Sequence, residues 1–158
     1  MITELISVGT EILLGNIVNT NSAYLSEKCA QLGLAVYYQS VVGDNPERMK
    51  MVIRTALDRS DVIILTGGLG PTEDDLTKEI TAEVMGFSLV EDEHTKELME
   101  DYLREYEKNN PQRRITRNNY KQTMVPEGSM VLDNHNGTAP GLIMEKNGKT
   151  AILLPGPP

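Results

Sequence analysis

One segment of the chain, Thr66-Gly67-Gly68-Leu69-Gly70-Pro71-Thr72-Glu73-Asp74-Asp75-Leu76-Thr77, combines backbone freedom with a run of carboxylates. It follows a strand pattern, Asp61-Val62-Ile63-Ile64-Leu65, and runs into a helical pattern from Leu76 to Met85. A glycine-rich turn between a buried strand and a helix lies where open α/β sheets bind ligands. Glycines let the backbone approach a bulky anion, and the free N–H groups of a first helical turn face it. Anion-binding amides beside Glu73, Asp74 and Asp75 suggest a phosphate ligand carried with a metal ion. Two familiar phosphate loops do not fit. A Walker A loop needs Gly-Lys-Ser/Thr, and here Pro71-Thr72 follows Gly70; a dinucleotide fingerprint needs a third glycine, and position 73 is Glu. The competing explanation is a tight strand-to-helix turn with a solvated acidic helix start, which acids favour in any case.

Further carboxylates recur at matching places. Loops at Gly9 to Thr20, Gly43 to Pro46 and Gly67 to Asp75 each follow one of the first three strand patterns and carry Glu11, Asp44 and Asp75. In a parallel sheet they share one edge, where clustered carboxylates suit Mg²⁺ or Mn²⁺. Taken singly, Asp44 and Asp75 are equally explained as turn and cap residues. His94, on a charged helix, and His135, in a polar loop, read as solvated. There is no Cys/His spacing for zinc and no Gly-x-Ser-x-Gly elbow for acyl transfer. Arg113, Arg114, Arg117 and Lys121 form either a solvated basic face or an arm that reaches the anionic ligand.

The positioning elements follow from pattern. Strands are expected at Ile2–Val8, Leu34–Val42 and Val62–Leu65, and helices at Ser22–Leu32, Pro46–Asp58 and Leu76–Met85. Asn21 or Asn19 caps the first helix, Asn45 with Pro46 opens the second, and Gly33 and Gly86 stop the first and third. This β-α-β-α-β-α order predicts a parallel sheet between helices. Beyond it lie a charged helix, Asp92 to Asn109, with Leu98, Tyr102, Leu103 and Tyr106 on one side, and a short strand at Ser129–Leu132. A hairpin of Leu142–Lys146 and Lys149–Leu154 turns at Asn147-Gly148, a type I′ signal.

The chain's 158 residues suit a single domain, 1–158. With 39% apolar residues and a net charge of −8, nucleic acid and anionic membranes are poor partners, while a small phosphorylated ligand is not excluded. The one cysteine, Cys29, reads as a packed thiol in a reducing compartment, and the short acidic start is no signal peptide, so a cytoplasmic protein is expected. Ending a buried strand at Pro155-Gly156-Pro157-Pro158 leads us to expect a domain cut from a longer protein at its carboxyl end.

These motifs also resemble a known family. The Thr66–Thr77 segment is similar to the hallmark of the molybdopterin-binding domain superfamily, and Gly9-Thr10-Glu11-Ile12-Leu13-Leu14-Gly15 through Asn19-Thr20-Asn21 matches it as well. Asn119-Tyr120-Lys121-Gln122, Pro126, Asn134-His135-Asn136-Gly137-Thr138-Ala139-Pro140-Gly141 and Leu154-Pro155-Gly156-Pro157-Pro158 narrow the resemblance to the amino-terminal domain of the CinA, or competence/damage-inducible, family. It implies a three-layer α/β/α fold with a mostly parallel, mixed sheet. It also implies metal-dependent hydrolysis of a nucleoside diphosphate sugar, ADP-ribose to AMP and ribose 5-phosphate. The alternative is a pterin- or nucleotide-binding module without turnover. Asp44 and Asp75 fall on the catalytic positions and, with Glu11, on the metal positions. Ligand contacts fall on Gly9, Thr10, Glu11, Asn21, Thr66, Gly67, Gly68, Leu69, Gly70, Lys121, Asn134, Gly137 and Thr138. The implied cofactor is a divalent metal (Mg, Mn or Co), with a monovalent cation as a further candidate, and the implied assembly is a homo-oligomer, dimer or trimer. Full-length members usually add a carboxyl-terminal deamidase domain, which this chain does not include. The molybdenum-cofactor enzymes carry a basic residue before the hallmark aspartate; Asp74 stands there, which points away from direct molybdopterin chemistry.

Overall fold

The structure, a computed structural model, describes residues 1–111 and 117–156. Strands β1 (Ile2–Val8), β2 (Ala35–Val42) and β3 (Val62–Thr66) alternate with a one-turn helix α1 (Thr10–Leu13) and helices α2 (Thr20–Gln31), α3 (Pro46–Arg59) and α4 (Thr77–Met85). Strand β4 (Leu89–Glu91), helix α5 (Glu93–Asn109), a 3-10 helix (Arg117–Thr123) and strands β5 (Met124–Pro126), β6 (Met130–Leu132), β7 (Gly141–Lys146) and β8 (Lys149–Leu154) follow. The main sheet has the order β2-β1-β3-β8-β7-β6. Strands β2, β1, β3 and β8 are parallel, while β7 and β6 run antiparallel. The expected mixed, mostly parallel sheet is therefore present.

Alternation along the strands builds two cores. Ile6, Val8, Ile63 and Leu65 join Met49, Ile53 and Ala56 of α3 and Ile80, Ala82 and Met85 of α4 on one face. Leu5, Val62 and Ile64 point the other way, onto Leu25 and Cys29 of α2. This period of two is what strand geometry requires of a sheet covered on both faces. The Cys29 thiol is buried and its pKa is pushed up by that burial, as a packed thiol should be. Glu4 breaks the apolar pattern of β1. Its side chain is 0% exposed, and Arg59 at the end of α3 grips both carboxylate oxygens at 2.9 and 2.8 Å while stacking 3.9 Å from the Tyr38 ring. A hydroxyl bond from Ser40 completes the pairing of this buried charge.

Several expectations shift. Asn19, not Asn21, caps α2, accepting from the Ser22 N–H. Asn45 with Pro46 opens α3, Gly86 closes α4 in the left-handed region, and Asn147 and Gly148 turn the hairpin with positive φ, all as their residue types predict. The stretch after β1, expected as a loop, holds the one-turn helix α1. Strands β4 and β5 pair as a separate two-stranded sheet that the sequence did not reveal; three residues are too few to show a period. On α5 the buried row is Thr95 and Met99, while Leu98 and Tyr102 remain exposed, so the expected apolar stripe is rotated on the helix. Asp92 is the α5 cap, and its bonds to Thr95 hold its carboxyl below the usual range. Among the described residues no helix is long and apolar enough to cross a membrane.

Two predictions follow from this packing. Ile63→Ala removes a wholly buried side chain from the central strand β3 and should cost about 2–5 kcal/mol in urea unfolding, because the rigid sheet cannot collapse around the gap. His94 of α5 lies 3.1 Å from Asp133, whose hydrogen bond and charge raise its pKa. The stabilisation from this pair is fully present below the unfolded histidine pKa and is lost as pH rises through the raised folded value. An NMR titration should place His94 above the ordinary value of about 6.5, and Asp133→Asn should bring it back.

Candidate active site

The carboxyl ends of β1, β2, β3 and β8 meet at one edge of the sheet. The backbone itself closes the floor: the Gly9 N–H donates to the Val42 carbonyl at 3.0 Å and the Gly67 N–H to the Leu154 carbonyl at 3.2 Å. Gly67 has φ of 94° and sits against the Val8 carbonyl, where any Cβ would collide with the oxygen. A Cβ on Gly68 would run into the Thr77 hydroxyl, which donates to the Gly67 carbonyl at 2.8 Å and so ties the turn to the start of α4. The loop after β8 belongs to the same floor, because Gly156 packs on Gly67 and its carbonyl accepts from Asn21 Nδ2 at 2.5 Å. This fourth loop was missing from the sequence reading of the edge, which counted only the loops after the first three strands.

The two candidate catalytic aspartates are held alike. Asp44 Oδ2 accepts from the Thr10 N–H at 3.1 Å and the Thr10 hydroxyl at 2.8 Å. Asp75 Oδ2 accepts from the Thr72 N–H at 3.0 Å and the Thr72 hydroxyl at 2.5 Å. In each case one oxygen is engaged, and Oδ1 takes no hydrogen bond among the described residues. Both line a single cleft of about 510 Å³ with Glu11 and Asp74. Gly9, Asn21, Thr66, Gly67 and Gly68 line it too, so with Glu11 six of the thirteen expected ligand positions come together there. Thr10 serves it through Asp44. Glu11 folds back over Gly9, its Oε1 2.7 Å from where a Cβ would stand. The N–H groups of Gly68, Leu69 and Gly70 make no hydrogen bond among the described residues, so they remain available as donors.

A second cleft, of about 750 Å³, lies on the other side of the glycine loop. Leu69, Gly70, Asn134, Gly137 and Thr138 line this one, and Gly68, Asp75 and Gly156 border both. The Asn134 side chain closes its own turn, donating to the Ala139 carbonyl and accepting from the Asn136 N–H. Lys121 stands behind the loop. Its ammonium donates to the Thr72 carbonyl at 2.8 Å and to the Asp75 carbonyl, so it braces the acidic turn and lines neither cleft. Lys78 supports it from α4 by donating to the Lys121 carbonyl at 2.6 Å; burial is the main cause of its lowered pKa. Gln122 adds a bond from Nε2 to the Leu69 carbonyl at 3.1 Å. The sequence singled out neither Lys78 nor Gln122 as part of the site, since nothing in a local pattern signals contacts made across 43 and 53 residues. Arg113, Arg114 and the Arg117 side chain lie outside the described residues.

Glu11, Asp44 and Asp75 supply hard oxygen donors of the kind Mg²⁺ or Mn²⁺ takes, with waters and ligand oxygens completing the shell. Among the described residues no three His, Cys, Asp or Glu side chains already converge as a closed metal cluster. An ion shared with a bound phosphate fits this donor set better than a dedicated protein cage.

Comparisons with known proteins agree with the fold. The profile of the family described as "probable molybdopterin binding domain" matches residues 4–158. A protein of Caldicellulosiruptor bescii named as competence-damage inducible is 56% identical over the whole chain, and a CinA-like protein of Dictyoglomus turgidum is 51% identical over 98% of it. The chain spans 37% and 36% of the length of those two relatives. The crystal structure of CinA from Thermoplasma acidophilum, a protein of unknown function, matches with a TM-score of 0.83 at 36% identity, over 98% of this chain and 88% of that one. The molybdopterin biosynthesis enzyme MoaB of Thermus thermophilus matches with a TM-score of 0.63 at 21% identity, over 99% of this chain and 82% of that one, which speaks for the fold alone.

The floor of the site yields a direct test. Gly33 also has positive φ, but a Cβ there meets open space, so Gly33→Ala should cost only about 1 kcal/mol of backbone strain. Gly67→Ala adds a clash with the Val8 carbonyl and should cost about 3 kcal/mol or more in urea unfolding.

Proposed function

The chain belongs to the molybdopterin-binding domain family, in its CinA branch, and on that footing we infer that it binds a phosphorylated nucleotide-type ligand across the sheet edge and hydrolyses its pyrophosphate with a divalent metal. The substrate best suited to this reading is ADP-ribose, cleaved to AMP and ribose 5-phosphate. The observation that carries it is a mismatch of charge. The first cleft is lined by Glu11, Asp44, Asp74 and Asp75 and by no Lys or Arg among the described residues, yet it adjoins free amide donors suited to phosphate. A pyrophosphate enters such a cleft only with a cation beside it.

The protein's own groups divide the work. The amides of Gly68, Leu69 and Gly70 bind phosphate oxygens at the junction of the two clefts. Thr10 and Thr72 fix the carboxylates of Asp44 and Asp75, and Oδ1 of each would be the atom left for an ion in the first cleft, which Glu11 also lines. Mg²⁺, Mn²⁺ or Co²⁺ held there supplies positive charge against the pyrophosphate oxygens. Lys121 keeps the Asp75 turn in place. The open donor set, without a closed three-ligand cluster, favours one competing reading: a pterin or nucleotide held without turnover.

Asp75→Asn separates the readings. Asparagine can still accept from Thr72, so the melting temperature should stay near wild type. AMP release from ADP-ribose, followed with each metal in turn, should fall about a hundredfold or more if Asp75 is catalytic. Wild-type turnover in the folded variant removes Asp75 from the mechanism; tight ligand binding with no AMP release by the parent protein favours the binding module. We also propose a homo-oligomer, dimer or trimer, because Leu98 and Tyr102 of α5 stay exposed. Light scattering that returns only the single-chain mass at high concentration counts against it.

A further inference from the structure

The two edges of the main sheet are protected unequally. At one end stands β6, only three residues long, which offers little for another strand to pair with. At the other stands β2, eight residues long, Ala35-Val36-Tyr37-Tyr38-Gln39-Ser40-Val41-Val42. Its ladder runs to β1 alone, so its far side presents main-chain N–H and C=O groups with no partner among the described residues. Edge strands are usually kept from pairing by charged side chains, prolines or bulges. β2 has no charged residue and no proline. Its register to β1 skips Tyr37, but from Tyr38 to Val42 the ladder is regular. The one charge that reaches the strand, the Arg59 guanidinium over the Tyr38 ring, is already paired with Glu4.

Apolar side chains crowd the same edge. Tyr37 and Val41 of β2 and Leu13 and Leu14 of α1 are between 40% and 70% exposed. Leu13 reaches the end of the strand, its Cδ2 lying 3.4 Å from where a Cβ on Gly43 would stand. None of the four lines either cleft. Together they offer on the order of 500 Å² of exposed side chain, so two copies face to face reach the roughly 1,000 Å² that a specific interface needs, before any main chain is counted.

We propose that β2 is a self-association edge: a second copy of this chain pairs its own β2 antiparallel to the first, about a two-fold axis, and continues the sheet across both copies. Antiparallel pairing is the arrangement in which one strand edge complements itself, and two-fold interfaces are the commonest in homo-oligomers. Charge favours the same place. Each chain carries a net charge of −8, so two copies repel over most of their surface, and a strand without an ionised side chain is where they approach at least cost. This edge is separate from Leu98 and Tyr102 of α5.

Light scattering on the 158-residue chain should return twice the chain mass. Val41→Lys sets like charges at the seam and should raise the dissociation constant at least about tenfold, with the melting temperature of the single chain unchanged. Leu98→Lys on α5 should leave that constant as it is. Hydrogen exchange of the parent protein supplies a readout that needs no variant. On dilution through the dissociation range, some amides of Tyr38 to Val42 should lose protection while those of the central strand β3 keep theirs. A single-chain mass at high concentration, an oligomer that Val41→Lys leaves intact, or β2 exchange that ignores dilution overturns the inference. Dissociation by Leu98→Lys but not by Val41→Lys overturns it too, and assigns the interface to α5.

Discussion

Everything at the sheet edge depends on how closely three stretches of backbone approach each other at Gly67. The Val8 carbonyl lies against it from β1, Gly156 packs on it from beyond β8, and its own N–H reaches the Leu154 carbonyl. Side chains cannot mediate an approach this close, so the position tolerates only glycine. This contact joins the ends of β1, β3 and β8 into one floor. The N–H groups of the following residues, Gly68 to Gly70, are left without a hydrogen bond among the described residues. The phosphate site proposed for these amides would be a consequence of the close approach, since a turn this tight leaves its own donors unsatisfied.

The two aspartates show that structural and chemical assignments need not compete. Asp44 and Asp75 are turn residues, each accepting both an N–H and a hydroxyl from a threonine on its own side of the cleft. Those bonds consume one oxygen and immobilise the other. A carboxylate held this way has already lost much of its rotamer freedom, so an ion bound there, as proposed, would cost little further ordering. Thr10 and Thr72 are thus as much part of the site as the acids they hold.

Elements with a strong period or a specific turn chemistry were legible in the sequence. The buried run Val62-Ile63-Ile64-Leu65, the Asn45-Pro46 start of α3 and the Asn147-Gly148 hairpin all formed where local chemistry requires them. So did the shared edge of the first three loops, because parallel strands bring their carboxyl ends together. Elements created by tertiary pairing were not legible. Strands β4 and β5 are three residues each and exist because Leu89 to Glu91 and Met124 to Pro126 find each other across the α5 segment. On α5, which lies between them in the chain, Thr95 and Met99 rather than Leu98 and Tyr102 turn inward. At the site, the Gly156 contact and the Gln122 bond are long-range in the same sense, with no local sequence signature.

Lys121 illustrates how charge sign alone can mislead. A lysine near an acidic, glycine-rich loop proposed to bind phosphate reads naturally as a counter-charge for the ligand. In the structure its ammonium is bound to two carbonyl oxygens on the rear of the loop, and Lys78 stands behind it with its charge disfavoured by burial. Positive charge is thereby placed under the turn rather than in the cleft. It stabilises a conformation that gathers Asp74 and Asp75 beside Asp44 and Glu11, while the cleft itself stays negative. The net charge of −8 deepens that field. On the proposed reading, an anionic ligand would enter this cleft only with a cation beside it, so nucleotide affinity would follow the divalent ion rather than the protein's own side-chain charge.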